Sequence, residues 1–183
     1  MRSEISDLIR YTLYPDLIDG ENTTKYPNVR GTQHNVYFID HRNPEDSSGV
    51  EAAMQSHVNT YEVKMVVEMV RYFINNGYTE PEDIAVLTPY LGQMIKIWDA
   101  LEKSFAVIID ERDAKEIAEF EDQDVKNDCE ASFATKKSLN QQVTLRTVDN
   151  FQGEEANIVI ISLVHNVTIS GKSGSIGFLK SSN

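Results

Sequence analysis

Polar residues crowd the nine positions from 147 to 155, which lie between two apolar runs. Gln152 and Glu155 offer amide and carboxylate groups to hydroxyls or phosphates, and Gly153 lets the backbone approach a ligand closely. A simple hairpin would need only about two to five residues here. Glu154 and Glu155 are disfavoured as an acid/base pair because adjacent side chains point apart. The segment therefore predicts a ligand-binding bend.

A second candidate segment, residues 88–93 (TPYLGQ), follows another apolar run. Pro89 ends a strand because it has no N–H donor, and Gly92 allows a tight entry into a helix. The start of that helix presents free backbone amides that suit a phosphate, and Tyr90 offers a face on which a base can stack. Turns of this kind also occur with a purely structural role, so both interpretations stay open at this point.

Composition limits the classes of function. The chain has 183 residues, 40% of them hydrophobic, which is enough for one domain with a core. Seventeen basic residues against 29 acidic ones give a net charge of −12, which excludes a domain that binds nucleic acid by itself.

Cys129 is the one cysteine, and the four histidines lack the spacing of a zinc motif. No long apolar run or signal-peptide pattern is present, so we expect an intracellular protein, in the nucleus or cytoplasm, without membrane contact.

The negative charge is concentrated in one stretch. Residues 110–130 contain ten acidic and three basic residues, a net charge of −7. We predict an acidic insertion at about residues 110–141, in which residues 121–141 form a mobile surface excursion. A solvated acidic loop and an autoinhibitory or partner-binding strip are both compatible with this composition.

Hydrophobic patterning predicts the elements that must position the two segments. Buried strands are expected at residues 36–40, 84–88, 143–148 and 157–164. Helices are expected at about residues 4–13, 60–76 and 91–103, the second capped by Asn59 and a Glu62 that reaches back to it. This order predicts an α/β domain with a mostly parallel sheet and helices on both faces. Chemistry in such a sheet lies at the carboxyl ends of the strands, here after Thr88 and Val148.

The residues also resemble a known family. TVDNFQGEEANIVIISLV is similar to motif V of superfamily 1 helicases in the up-frameshift-like branch, and IAVLTPYLGQ resembles the Thr-Pro-Tyr element of that branch. SHVNTYE resembles its Ser-x-x-Asn-x-x-Glu helix start, and MRSEISDLIRYTLYPDLID the segment after the motif IV arginine. SIGFLKSSN is similar to the segment before motif VI, especially in helicases with X-box-binding-type zinc fingers. Residues 1–183 thus resemble the second RecA-like domain, a P-loop NTPase-type fold, apart from the acidic insertion.

The resemblance implies ATP and Mg²⁺ as cofactors, with the metal held mainly by a first RecA-like domain. Gly153 and Glu155 would then face the nucleotide, Glu155 near the ribose, and Gln152 would border the same pocket. Such helicases bind ATP in the cleft between their two RecA-like domains.

The resemblance also implies single-stranded RNA or DNA as a partner, beside the first RecA-like domain. Thr147 would lie near the nucleic-acid backbone, with Asp149 ordering the bend. Thr88, Tyr90 and Gln93 would line the path of the strand. Hydroxyl and amide donors at strand ends hold a backbone without reading its sequence.

Parts of the family pattern are missing from these residues. No G-x-x-x-x-G-K-[ST] loop and no acidic metal-binding strand occur, and the arginines of motifs IV and VI would lie outside residues 1–183. We therefore expect no catalytic residue within the chain and no ATP hydrolysis by the chain alone. His165 stands where the family often has arginine. The alternatives are a non-catalytic RecA-like binding or scaffold module and, less favoured for lack of a glycine fingerprint, an unrelated α/β nucleotide-binding enzyme.

Overall fold

The structure, a computed structural model, describes residues 2–46, 57–123 and 142–165. The chain forms two compact units, Met1–Asp40 and His41–Asn183. A single domain over residues 1–183 stays a prediction. None of the described helices is both long and apolar enough to cross a membrane.

The first unit contains helix α1, Ser3–Arg10, and a short 3-10 helix, Glu21–Lys25. The buried Ser6 hydroxyl donates to Asp19 Oδ1 at 2.5 Å, and the Arg10 guanidinium lies 2.9 Å from the other Asp19 oxygen. These contacts hold the pKa of Asp19 below its ordinary value, and the hydrogen bond from Ser6 has the largest effect. Asp19 therefore ties the chain that follows α1 back onto the helix.

The strand expected at residues 36–40 is not formed, and that prediction is wrong. The Tyr37 hydroxyl accepts from the backbone N–H groups of Gln33 and His34, both at 3.0 Å, so the ring bonds to its own local chain. Phe38 is 85% exposed. An apolar run becomes a strand only where a neighbouring strand supplies ladder hydrogen bonds, and none of the described residues does so here.

The second unit contains a four-stranded, fully parallel sheet in the order β2-β3-β1-β4. The strands are Ile84–Thr88 (β1), Ala106–Ile109 (β2), Gln142–Thr147 (β3) and Ile158–Ile161 (β4). Three of them, β1, β3 and β4, lie within the runs predicted as strands, except that β3 begins one residue earlier than predicted. The parallel α/β class predicted from the sequence is confirmed.

Three helices belong to this sheet: Thr60–Asn75 (α2), Leu91–Leu101 (α3) and Glu111–Gln123 (α4). The Asn59 side chain caps α2 by accepting the Glu62 N–H at 3.2 Å, as predicted, and the helix is followed by Gly77 at φ +89°. Glu62 does not reach back as a capping box. Its carboxylate bonds instead to residues after β4, which the pattern within α2 could not indicate.

Helix α2 packs against α3, which lies on β1 and β3. The buried core combines one stripe of α2 with all of β1 and most of β3; its largest members include Ile84, Met94, Ile97, Leu101 and Leu145. Val159 and Ile161 of β4 stay 45% and 55% exposed. Helices α2, α3 and α4 therefore leave one side of the edge strand β4 uncovered, while β1 at the centre of the sheet is buried on both faces.

The acidic stretch begins with ordered structure. Residues 106–109 pair with β3 as an edge strand, and α4 follows at once, with Asp113 and Ile117 fully buried. The first part of the predicted insertion thus belongs to the fold. The remainder, residues 124–141, lies outside the described residues.

Candidate functional site at the carboxyl edge of the sheet

Strand register brings the two predicted segments together. Thr88 and Thr147 are register partners at the ends of β1 and β3, and the Val148 N–H donates to the Thr88 carbonyl at 3.2 Å. The turn into α3 and the bend after β3 therefore start side by side at the carboxyl edge. This is the edge where parallel α/β sheets bind ligands.

The bend after β3 exposes all three residues predicted to face a nucleotide. A 3-10 turn, Asp149–Phe151, leads into Gln152, Gly153 and Glu155, which are solvent-exposed. Gly153 has φ +88°, a conformation that favours glycine, although a Cβ there would meet nothing within 4 Å. Glycine is thus needed for the backbone conformation rather than for space, and the surface beside it is open to a ligand.

A buried carboxylate from α4 holds this bend in place. Asp113 Oδ1 accepts the Thr147 hydroxyl and the Asn150 side-chain amide, both at 2.7 Å. The Thr147 N–H also points to the Asp113 carboxylate, 3.4 Å from each oxygen. Asp113 is fully buried and Asp149 is exposed. The carboxylate that orders the bend is therefore Asp113, where the sequence analysis assigned that role to Asp149.

Two arginines flank the bend. Arg112 Nη2 donates to the Asn150 carbonyl at 3.0 Å, and its Nε donates to Asp110 Oδ1 at 3.0 Å. The backbone and side-chain hydrogen bonds from Arg112 lower the pKa of Asp110, and the same pairing raises the pKa of Arg112. The nearly buried Arg146 donates to the Ile108 carbonyl at 2.9 Å and has Nε 3.8 Å from Glu154 Oε2. Arg112, on the exposed side, thus forms an ion pair with Asp110 and fixes the bend through the Asn150 carbonyl.

Thr147 and Thr88 are both buried, so the structure does not present their hydroxyls on the surface. The Thr147 hydroxyl is occupied by Asp113, and the Thr88 hydroxyl lies 3.5 Å from the Tyr90 N–H. In this structure they shape two turns, of which the first carries the half-buried Tyr90 and the second the exposed residues of the bend.

Gln93 is also fully buried, so its place on the path of the strand stays a prediction that the structure does not support with an exposed side chain. Its Oε1 accepts the Asn59 N–H at 2.9 Å, and its Nε2 donates to Ser162 Oγ at 2.9 Å and to the Asn59 carbonyl. Both ends of the amide are thus used inside the domain. Gln93 joins α3 to the start of α2 and to the chain after β4.

Glu62 completes this internal network at the end of β4. Its Oε2 accepts the Ser162 hydroxyl at 2.6 Å and the Val164 N–H at 3.0 Å, while Oε1 lies 3.2 Å from His41 Nε2. Asn59 Nδ2 donates to the Val164 carbonyl. Val164 has φ +69°, a costly conformation for a β-branched residue. It is held there by two hydrogen bonds, one from its N–H to Glu62 and one from Asn59 to its carbonyl.

Tyr90 lies between the two turns, half-buried. Its ring makes edge-to-face contacts with His57 and His165, at centroid distances of 4.9 and 5.2 Å. Burial and the nearby charge of Glu45 raise the pKa of the Tyr90 hydroxyl, which is therefore protonated at neutral pH. The ring is thus a neutral aromatic group in a defined position at this edge.

Asp113, Arg112 and Glu62 are residues at this edge that the site prediction did not contain. A signal for the first two was present, because the apolar run at residues 105–109 is followed by Asp110, whose side chain caps α4 by accepting the Arg112 N–H at 2.9 Å. The many acidic residues that follow Asp110 made this signal for a strand and a capped helix difficult to recognise. For the contacts of Glu62 with Ser162 and Val164 no local signal exists, since these partners lie about one hundred residues away.

The all-parallel sheet, with its polar groups gathered in the loops at the carboxyl edge, defines a RecA-like α/β domain. A family model described as an AAA domain matches residues 1–183. The chain belongs to this family, which comprises up-frameshift-like superfamily 1 helicases. The resemblance inferred from motif V is thereby confirmed. Within its motifs, Ser56 and the segment SIGFLKSSN lie outside the described residues.

Three relatives show the range of similarity. The human NFX1-type zinc finger-containing protein 1 is 30% identical over 186 residues, covering the whole chain and 7% of that protein. The Schizosaccharomyces pombe helicase required for RNAi-mediated heterochromatin assembly 1 is 29% identical over 99% of the chain and 14% of its own length. The putative ATP-dependent RNA helicase ECM32 of Saccharomyces cerevisiae is 28% identical over 82% of the chain and 14% of its own length. The chain thus spans only a small part of each relative.

Proposed function

We propose that this chain is the second RecA-like domain of an ATP-dependent RNA or DNA helicase located in the nucleus or cytoplasm. It supplies half of the ATP cleft and half of the track for the single strand, and a first RecA-like domain supplies the other halves. The observation that carries the proposal is the bend after β3, which Asp113 anchors from α4 while Gln152, Gly153 and Glu155 stay exposed.

The exposed part of the bend suits a nucleoside better than a triphosphate. An amide from Gln152 and a carboxylate from Glu155 are the groups that bond ribose hydroxyls, and the open backbone at Gly153 permits close approach. The chain has no G-x-x-x-x-G-K-[ST] loop. The phosphates and Mg²⁺ are therefore assigned to the first domain, and ATP hydrolysis is assigned to the two domains together.

The substitution Glu155→Ala, in a protein that joins this chain to its first RecA-like domain, should raise the KM for ATP by roughly tenfold with a smaller change in kcat. The reason is the loss of a hydrogen bond to a charged acceptor, one made equally in ground and transition states. Steady-state ATPase kinetics measure both parameters.

Glu80→Ala is the matched control, because Glu80 is an exposed carboxylate that precedes β1 at the opposite, amino edge of the sheet. Its KM should equal that of the unmodified protein. An unchanged KM in Glu155→Ala would contradict the ribose placement, and an absence of hydrolysis in the unmodified two-domain protein would favour the scaffold function instead.

The path of the single strand is proposed to cross Tyr90 and the turn into α3. Tyr90 is held as a neutral ring beside the bend, and the exposed Arg112 guanidinium, which is paired with Asp110, lies at the same edge. An aromatic ring on which a base stacks binds single strands without sequence preference. Asp149, exposed on the bend, borders this path.

Tyr90→Ala should weaken binding of a single-stranded oligonucleotide by about tenfold, the effect of losing one stacked base. Tyr90→Phe should bind as tightly as the unmodified protein, because it keeps the ring. Fluorescence anisotropy at low salt measures both affinities, and Tyr72→Ala, at an exposed tyrosine of α2, is the control for a general loss of aromatic surface. Equal affinity in Tyr90→Ala and Tyr72→Ala would count against the proposed path.

A further inference from the structure

Three potential metal ligands meet beside Tyr90. Glu45 Oε2 lies 3.1 Å from His57 Nδ1 and 3.2 Å from His165 Nδ1. All three ligand atoms lie within 4.8 Å of one another. They come from three separate parts of the second unit. Glu45 lies in the chain at residues 41–46, His57 in the segment that enters α2, and His165 in the chain after β4.

The spacing matches the coordination shell of a zinc-class ion. Ligands bound at the usual 2.0–2.1 Å in a tetrahedron are about 3.3 Å apart, close to the two distances that Glu45 makes to the histidines. Two imidazole nitrogens and one carboxylate oxygen form a donor set that suits Zn²⁺ and its neighbours in the first transition row. Mg²⁺ and Ca²⁺ instead prefer oxygen ligands.

The surrounding rings keep the ligands in position. His57 and His165 pack edge to face at 4.5 Å between ring centroids, and the Tyr90 ring contacts both. The side chains of Glu45, His57 and His165 are 38%, 28% and 11% exposed, so an ion can reach the cluster from solvent. Within the described residues, His165 Nε2 is buried and has no hydrogen-bond partner, so Nδ1 makes the polar contact of that ring.

We propose that Glu45, His57 and His165 bind one divalent transition-metal ion of the zinc class, with a fourth coordination position open beside Tyr90. On binding, each imidazole coordinates the ion through an unprotonated Nδ1 and carries its ring proton on Nε2, and the contacts between Glu45 and the two Nδ1 atoms are replaced by bonds to the ion. The ion would join the chain after β4 to the start of α2. This site does not depend on the proposed helicase function, because its ligands are defined by geometry alone.

The test is a titration of the metal-free 183-residue chain with Co²⁺, followed by visible absorption. One equivalent should give the strong d–d bands of a tetrahedral site, and Zn²⁺ should abolish them by displacement while excess Mg²⁺ should not. His165→Ala and Glu45→Gln should each weaken Co²⁺ binding at least tenfold, and far-ultraviolet circular dichroism of the metal-free variants checks that they fold. If His165→Ala does not fold, His57→Gln takes its place.

His34→Ala, in the first unit, and Cys129→Ser are the controls and should bind Co²⁺ as the unmodified chain does. The proposal is overturned if no tetrahedral spectrum appears, if the Glu45 and histidine variants keep full affinity, or if either control variant loses the spectrum. A loss in Cys129→Ser would assign the ion to a thiolate site instead.

Discussion

Replacing Asp113 with alanine is expected to lower the free energy of unfolding of the chain by about 3 kcal/mol, since a buried acceptor of hydrogen bonds disappears while its donors stay buried. The Thr147 hydroxyl and N–H are both inside the domain, and the Asn150 amide is partly so. Water cannot replace the carboxylate at Thr147 without opening the contact between α4 and the bend. Urea-induced unfolding at neutral pH measures the loss.

The same substitution should release the bend on which the proposed nucleotide contacts lie. In a two-domain protein, Asp113→Ala should therefore lower kcat/KM for ATP even under conditions where the domain is still folded. Glu116→Ala is the matched control, since Glu116 lies one turn later on α4 and is exposed. It should change the free energy of unfolding by no more than about 0.5 kcal/mol.

A double-mutant cycle separates the direct contact between Asp113 and Thr147 from a general effect of losing a buried carboxylate. Thr147→Val removes the hydroxyl and keeps the shape of the side chain, so Asp113→Ala in that background should cost clearly less than in the unmodified chain. Additive losses in the cycle would contradict the direct contact. They would leave Asp113 as a residue that stabilises α4 alone.

The second large effect is expected for Glu62→Ala, about 3 kcal/mol of unfolding free energy. Two donors, the Ser162 hydroxyl and the Val164 N–H, would lose a charged acceptor in a buried place. Part of this cost is offset because Val164 would be free to leave its left-handed conformation, which is worth on the order of 1–3 kcal/mol. Urea-induced unfolding again gives the magnitude.

Glu62→Gln should have a smaller effect, because its amide oxygen, in the position of Oε2, still accepts both hydrogen bonds although the charge is lost. Glu68→Ala controls for the loss of a carboxylate from α2, since Glu68 is exposed and forms a surface ion pair with Arg71 at 2.6 Å. A surface pair of this kind contributes about 0–1 kcal/mol. A Glu62→Ala variant as stable as Glu68→Ala would show that the buried network does not hold the end of β4.

Local patterns predicted most of the second unit because its elements carry their own signals. The stripe of α2 with its Asn59 cap, and the continuous apolar character of β1, are properties of neighbouring residues. Residues 36–40 show where such patterns fail, since that run has strand composition but no partner strand among the described residues. β2 and α4 were missed for the opposite reason: their apolar positions are short and stand beside a concentration of acidic residues.

The candidate site likewise has a part that the local sequence indicates and a part that depends on distant residues. The exposed residues of the bend, Gln152, Gly153 and Glu155, could be proposed from residue type and from resemblance, because a ligand-binding bend needs those groups close together in the chain. The resemblance implied that Gln93 lines the path of the strand and that Thr147 lies near the nucleic-acid backbone, whereas both side chains are buried. Their burial depends on partners about 34 residues or more away, which a segment cannot reveal.

The sequence by itself determined the parallel α/β class and the family, and it indicated the edge of the sheet at which we propose that ligands bind, because these follow from local periodicity and from a motif of contiguous residues. The tertiary structure alone decided which charges act there. It placed Asp113 under the bend, Glu62 against the end of β4, and Glu45 beside two histidines from distant segments. The physical reason is that a buried carboxylate is positioned by the donors that fold around it, and those donors are brought together only when the strands pair.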